Sequence, residues 1–150
     1  MKRLRTDGIV LHRAEIFTPF DYHLLILTDG TVRENVAIDQ KGQHAIVFNA
    51  NTIGVAIIGC FAALEQAKLA SPTQAQLNAC VELLKKLNAQ YGGRLWVAGH
   101  SQLGAKGTSV PLKLTYGHTC PGERFPLAGV IAASGLMPWL PAPVPNNPCC

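Results

Sequence analysis

No apolar run in this sequence reaches the ~18–20 residues that a membrane-spanning helix needs. The basic start, MKRLRTDG, is followed only by IVLH, which is too short for the apolar part of a signal peptide. Neither secretion by the general route nor membrane insertion is expected, so the chain is read as cytoplasmic at synthesis. There is no C-x-x-C and no framework spacing among the five cysteines, Cys60, Cys80, Cys120, Cys149 and Cys150. That odd set argues against a disulfide scaffold and for reduced thiols. Charge is sparse, at 15% of residues, and Lys and Arg are scattered without a basic run interleaved with aromatics. Nucleic acid is therefore not expected as a partner. A formal charge of +4 still favours adhesion to an anionic polymer. No internal repeat and no H-E-x-x-H are present.

What is there is a chain of 150 residues that is 48% hydrophobic, enough for one domain around one core. Residues 8–12, GIVLH, read as a short buried strand ending on a histidine. Residues 13–21 read as a loop. Residues 22–27 and 31–35 read as two strands, with Thr28-Asp29-Gly30 as the hairpin turn between them. Residues 36–52 lack a period and hold Gly42, Asn49 and Asn51, the pattern of a long functional loop. Residues 53–60, IGVAIIGC, are apolar at nearly every position, as in a central strand buried on both faces.

A short helix is expected over 61–70. Ser71-Pro72-Thr73-Gln74 reads as a helix start, with Ser71 as N-cap and Gln74 closing a capping box. Leu77, Cys80, Val81, Leu84 and Leu87 then recur at helical spacing, and Gly92-Gly93 ends the helix. Residues 95–98 read as a strand running into His100, and 101–121 as a second long loop. Residues 127–134 read as a short helix. The proline-rich end, PWLPAPVPNNP, is expected to lack regular structure. The order predicts an α/β protein with a mixed central β-sheet flanked by helices.

Five histidines occur: His12, His23, His44, His100 and His118. His12 and His100 end expected strands, and ligand sites of open α/β sheets gather at the carboxyl edge. If those strands are parallel neighbours, both imidazoles face one crevice, and the loop that follows supplies Cys120. Two imidazoles and a thiolate leave a tetrahedral zinc one position for water, the pattern of a catalytic site. The bland alternative stays open, because a histidine at a strand end is often only a polar residue at the rim. Cys60 and Cys80 fall on core faces, where a thiol is inert.

The segments IVLH, YHLLILTDGTV, GQHAIVFNANTIGVAIIG, SPTQAQLNACVELLKKL, VAGHSQL and HTCPGERF, in that order, resemble the type-2 N-acetylmuramoyl-L-alanine amidases. This is the family of the bacteriophage T7 lysozyme and the peptidoglycan recognition proteins. The resemblance runs from about residue 8 to residue 125. It implies the same mixed-sheet fold, and zinc-dependent hydrolysis of the amide between N-acetylmuramic acid and L-alanine of bacterial peptidoglycan.

It also implies zinc bound by His12, His100 and Cys120, with Tyr22 as a catalytic residue. His118 stands where relatives carry lysine or threonine, and is assigned a catalytic role. His44, and with it Asn51, are assigned to substrate binding. Other members carry a glutamate in the strand matching residues 53–60; here Ala56 stands in its place, so the chemistry must follow the tyrosine-based branch. The nine residues 13–21 are too few for the helix common in relatives, which opens the cleft on that side. The loop from His100 to Cys120, with Gly104, Gly107 and Ser109, is long enough for a lid.

Residues 1–136 are expected to form the zinc amidase catalytic domain and 137–150 a tail. A monomer of phage or prophage endolysin type is expected, released to the wall by a separate protein. The alternative is a non-catalytic peptidoglycan-binding module of the same fold. Such relatives typically lose the cysteine ligand, which this sequence keeps.

Overall fold

The computed structural model describes residues 1–15, 17–59, 61, 71–104 and 119–140. Strands β1 (Gly8–Ala14), β2 (Leu24–Ile26), β3 (Val32–Glu34), β4 (Thr52–Ile58), β5 (Trp96–Gly99) and β6 (Met137–Pro138) form one sheet in the order β3-β2-β4-β1-β5-β6. β1 lies parallel between β4 and β5, β2 is parallel to β4, and β6 is parallel to β5. The β2–β3 pair is antiparallel, its turn closed by Leu27 N–H donating to the Thr31 carbonyl and by Gly30 at φ 87°. This is the mixed sheet the sequence predicts. Among the described residues no helix is long and apolar enough to cross a membrane.

Helices α1 (Gln74–Gln90) and α2 (Leu127–Ser134) pack together over one face of the sheet. Alternation along β1 separates the two faces. Ile9 and Leu11 join the helix-side core with Leu84, Leu87 and Val130. Val10 and Ala14 lie in separate apolar clusters on the other face. His12 shares their parity, so its ring is delivered to the face away from α1. Near-continuous apolarity in β1 and β4 thus reflects burial on both faces.

Two local expectations are corrected. The N-cap of α1 is Thr73, not Ser71. Its hydroxyl accepts from Gln76 N–H at 3.1 Å, and Gln76 Oε1 accepts from Thr73 N–H at 3.0 Å, so the box is closed by Gln76 rather than Gln74. Thr73 wins because its hydroxyl also donates to the Thr28 carbonyl at 2.7 Å, and buried Gln76 donates to the Ile26 and Ile58 carbonyls. The helix start is thereby tied to the ends of β2 and β4.

The second correction concerns the proline-rich end. Met137 and Pro138 pair with Trp96 and Val97 on the sheet edge, and Trp139 N–H donates to the Val97 carbonyl at 2.9 Å. An edge strand tolerates a proline without its N–H. Trp139 packs against Phe48 and Trp96, an apolar contact that a composition reading does not reveal. The helix expected over 61–70 falls, apart from buried Phe61, outside the described residues.

Candidate metal centre and active site

Parallel pairing of β1 and β5 ends at Leu11 opposite Gly99. β1 continues past that point to Ala14, so His12 stands one step beyond its neighbour's last residue. The chain after Gly99 turns at once into a short 3₁₀ segment, His100–Gln102, and the His100 ring settles 4.6 Å from that of His12, centroid to centroid. Cys120 arrives from the far side. Its carbonyl accepts Ser101 N–H at 2.8 Å, and its Sγ accepts Arg13 N–H at 3.4 Å. Backbone donors from two elements therefore hold it against both histidines.

One ligand atom from each of His12, His100 and Cys120 lies within 4.8 Å of the others. His12 Nδ1 is 3.8 Å from Cys120 Sγ. Tetrahedral zinc, with bonds of about 2.0–2.1 Å to nitrogen and 2.3 Å to sulfur, separates such a pair by about 3.6 Å. The donor set and its spacing fit zinc. His12 is buried, while His100 and Cys120 are half-buried along a cavity of about 460 Å³.

Arg13, Glu15, Asp21, Tyr22, Gln43 and His44 share that cavity wall. Burial pushes the Cys120 thiol up to about 11, opposed by the Arg13 N–H and charge, so without a metal it stays protonated. Burial, then Cys120 (once ionised at such high pH) and Asp21, raises the Tyr22 phenol to about 12. It is a hydrogen-bond donor across the physiological range. Its ring lies 5.0 Å from that of His12.

The floor of the site is made by small residues of β4. Ala56 is the register partner of His12, and Gly54 lies on the same face two residues earlier. A Cβ on Gly54 would sit 2.5 Å from His44 Cγ, so glycine there lets the His44 ring lie against the strand. His44 Nδ1 is 3.1 Å from His12 Nε2. Burial, then the neighbouring His23, pushes His44 down to about 3, and it is neutral.

Residues 3–123 match the family described as N-acetylmuramoyl-L-alanine amidase. The chain belongs to this family. Among relatives of the amidase-family chain, the endolysin of Klebsiella phage KP32 is 33% identical over 89 residues, covering 59% of this chain and 58% of that one. The endolysin of Escherichia phage T7 is 34% identical over 93 residues, with the same coverage of 59% and 58%. The match thus spans less than two-thirds of the curated relatives' length.

Among solved structures, the amidase LysC from Clostridium intestinale URNW is similar with a TM-score of 0.66 at 22% identity, covering 87% of this chain and 86% of that one. The ectodomain complex of peptidoglycan recognition proteins LCa and LCx, bound to tracheal cytotoxin, gives 0.62 at 22% identity, covering 83% and 80%. At such identities these structures show the fold alone.

Within the amidase-family chain, His12, His100, Cys120, Tyr22 and His44 come together. Asn51 does not. It precedes β4 at the opposite end of the sheet, where its Nδ2 donates to Asp7 Oδ2 at 2.7 Å and its carbonyl accepts Asp7 N–H. The geometry gives it the task of tying the starts of β1 and β4. His118 and most of the loop expected to form a lid lie outside the described residues.

Sequence reasoning also missed the polar layer under the site. His23 is fully buried; its Nδ1 accepts Gly54 N–H at 2.9 Å, so its Nε2–H donates to the Gln40 carbonyl at 2.9 Å. Arg3 is buried beside it, its Nη1 lying 2.8 Å from the same His23 Nε2, and donates to the Thr52 and Ile38 carbonyls. The only written signal was a histidine directly before the apolar run LLIL.

Proposed function

We propose that this chain is a zinc-dependent hydrolase of the amide between N-acetylmuramic acid and L-alanine in bacterial peptidoglycan, acting as a phage-type endolysin. The observation that carries this reading is the convergence of His12, His100 and Cys120 on the wall of an open cavity. A structural zinc is normally closed off by four protein ligands, whereas three ligands beside open space fit a catalytic one. The retained cysteine also favours a hydrolase over a wall-binding module.

Zinc held by these three residues supplies a Lewis acid for the scissile carbonyl and acidifies water toward a pKa of about 7. The chain's own residues supply the rest. Tyr22, kept protonated by burial, donates to the oxygen on which negative charge develops. His118, by its place two residues before Cys120, is a second donor and carries a proton to the departing amine. No carboxylate occupies the β4 position next to His12, because Ala56 does.

The direct test is mass spectrometry of cell-wall digests. Expected products are muropeptides cut to give a new L-alanine amino terminus, with release abolished by zinc chelation and restored by zinc. Undiminished release in chelator would overturn the reading. Tyr22→Phe is expected to lower kcat about 100-fold, the effect of removing one preorganised donor, with zinc content unchanged. Steady-state kinetics on a soluble muropeptide checks this, and a loss under fivefold would remove Tyr22 from the chemistry. Release by a separate membrane protein predicts that expression without such a partner leaves host cells intact.

A further inference from the structure

The cavity face of His44 is mostly closed. The side chain is 7% exposed and its Nε2 is buried without a hydrogen-bond partner. A buried unpaired ring nitrogen is uncommon and calls for a compensating role elsewhere on the ring. The other nitrogen, Nδ1, faces His12 Nε2 at 3.1 Å.

We propose that His44 is a positioning residue that acts through His12: its Nδ1 accepts the Nε2–H of His12, leaving His12 Nδ1 bare of a proton and turned toward Cys120. This rests on the metal site argued above. A neutral imidazole carries one N–H. His12 Nδ1 is the nitrogen beside Cys120 Sγ, so to serve as a ligand it must be the unprotonated one, and the proton belongs on Nε2. That nitrogen then needs an acceptor, and His44 Nδ1 stands there. The opposite polarity, with His44 donating, would put the His12 proton on the side that faces Cys120. A histidine ligand's second nitrogen usually has such a partner, which fixes both tautomer and ring orientation.

The acceptor is itself held rigidly. Asn49 Oδ1 accepts from both His44 N–H at 2.8 Å and Ala45 N–H at 2.7 Å, pinning the backbone. The ring is pressed on the bare Cα of Gly54, and a Cβ on Gly42 would lie 3.1 Å from His44 Cδ2. His23, locked between Gly54 and Gln40, packs edge-on against it with centroids 5.4 Å apart. Neither side leaves room for the ring to turn away from His12.

Nitrogen NMR of the imidazoles tests this in both zinc-free and zinc-loaded protein. His12 is expected to be protonated at Nε2, with a nitrogen–nitrogen coupling across the hydrogen bond to His44 Nδ1. A proton on His12 Nδ1 in the zinc-free protein, or zinc on Nε2 in the loaded one, would overturn the proposal. Zinc affinity, measured by competition with a chelator, gives a second readout. His44→Phe, which removes the acceptor, is expected to bind zinc about 10- to 100-fold more weakly.

His44→Asn, whose Oδ1 can take the place of Nδ1, is expected to stay within about threefold of the parent; that rescue separates positioning from general support of the fold. A folded His44→Phe with parental affinity would overturn the proposal, and if that variant does not fold, the Asn variant and the NMR of the parent still decide. Failure here is distinguishable from failure of the amidase reading. A parent with the expected His12 pattern that cuts no amide sinks only the latter. A parent that cuts the amide, with the opposite tautomer, sinks only the former.

Discussion

Cys120→Ser is expected to lower amide hydrolysis by about 10³-fold or more, because the metal's electrostatic contribution to such a transition state is several kcal/mol. Sulfur is the soft ligand of the set, and a serine hydroxyl is a poor substitute at neutral pH. Two imidazoles alone hold zinc weakly, so metal content and activity should fall together. The fold should survive. Cys120 is half-buried, its carbonyl keeps its bond to Ser101 N–H, and serine oxygen can accept the Arg13 N–H that now goes to Sγ. Thermal unfolding in chelator should therefore match the parent, while equilibrium zinc content and product release do not. Activity within tenfold of the parent, in a protein stripped of zinc, would mean that the thiol is not a ligand and that the catalytic reading fails.

The frame of this site was legible in the sequence because it depends on strands, which write their burial into the chain. IVLH and WVAGH each carry an apolar run into a histidine, and parallel pairing of those runs is what sets His12 and His100 side by side. Other parts were not legible because they depend on where a loop goes. His44 and Asn51 are seven residues apart. Turns over that span carry the chain from the carboxyl edge of the sheet back to its amino edge, where β4 begins, so the first residue reaches the cavity and the second reaches Asp7.

The capping register was likewise a matter of tertiary competition: Ser71 and Thr73 are both good caps, and the Thr28 carbonyl favours Thr73. Pro138 reads as a breaker until an unpaired edge of β5 is present to receive it. The buried pair Arg3 and His23 left no periodic trace, because a polar side chain that bonds mainly to backbone carbonyls and N–H groups looks, in sequence, like a rim residue.

That buried layer makes stability acid-sensitive from about pH 6.5 downward, beginning before ordinary carboxylates titrate. Burial brings the His23 pKa from 6.5 in the ordinary case to about 4; the hydrogen bond to the Gln40 carbonyl opposes it, and the adjacent Arg3 charge adds a smaller push downward. Above pH 6.5 the ring is neutral in both folded and unfolded chains, and its contribution is complete. As pH falls toward 4 the unfolded chain takes a proton that the folded one refuses, so ΔG of unfolding drops through that window and levels off below it. His23 alone implies a loss of about 2 kcal/mol by pH 5 and roughly 3 kcal/mol once complete.

His44, held down to about 3, acts in the same direction. Urea unfolding of zinc-free protein at pH 7.5 and pH 5 measures the drop without interference from metal release. His23→Gln should be less stable than the parent at pH 7.5, through loss of the paired Gly54 N–H, yet lose less on acidification. A parent whose stability is flat within about 0.5 kcal/mol across that interval would mean that His23 takes up its proton in the folded chain by pH 5 much as in the unfolded one. Gly54 N–H, which can only donate, would then have to give up Nδ1, and the floor on which His44 rests would be built differently.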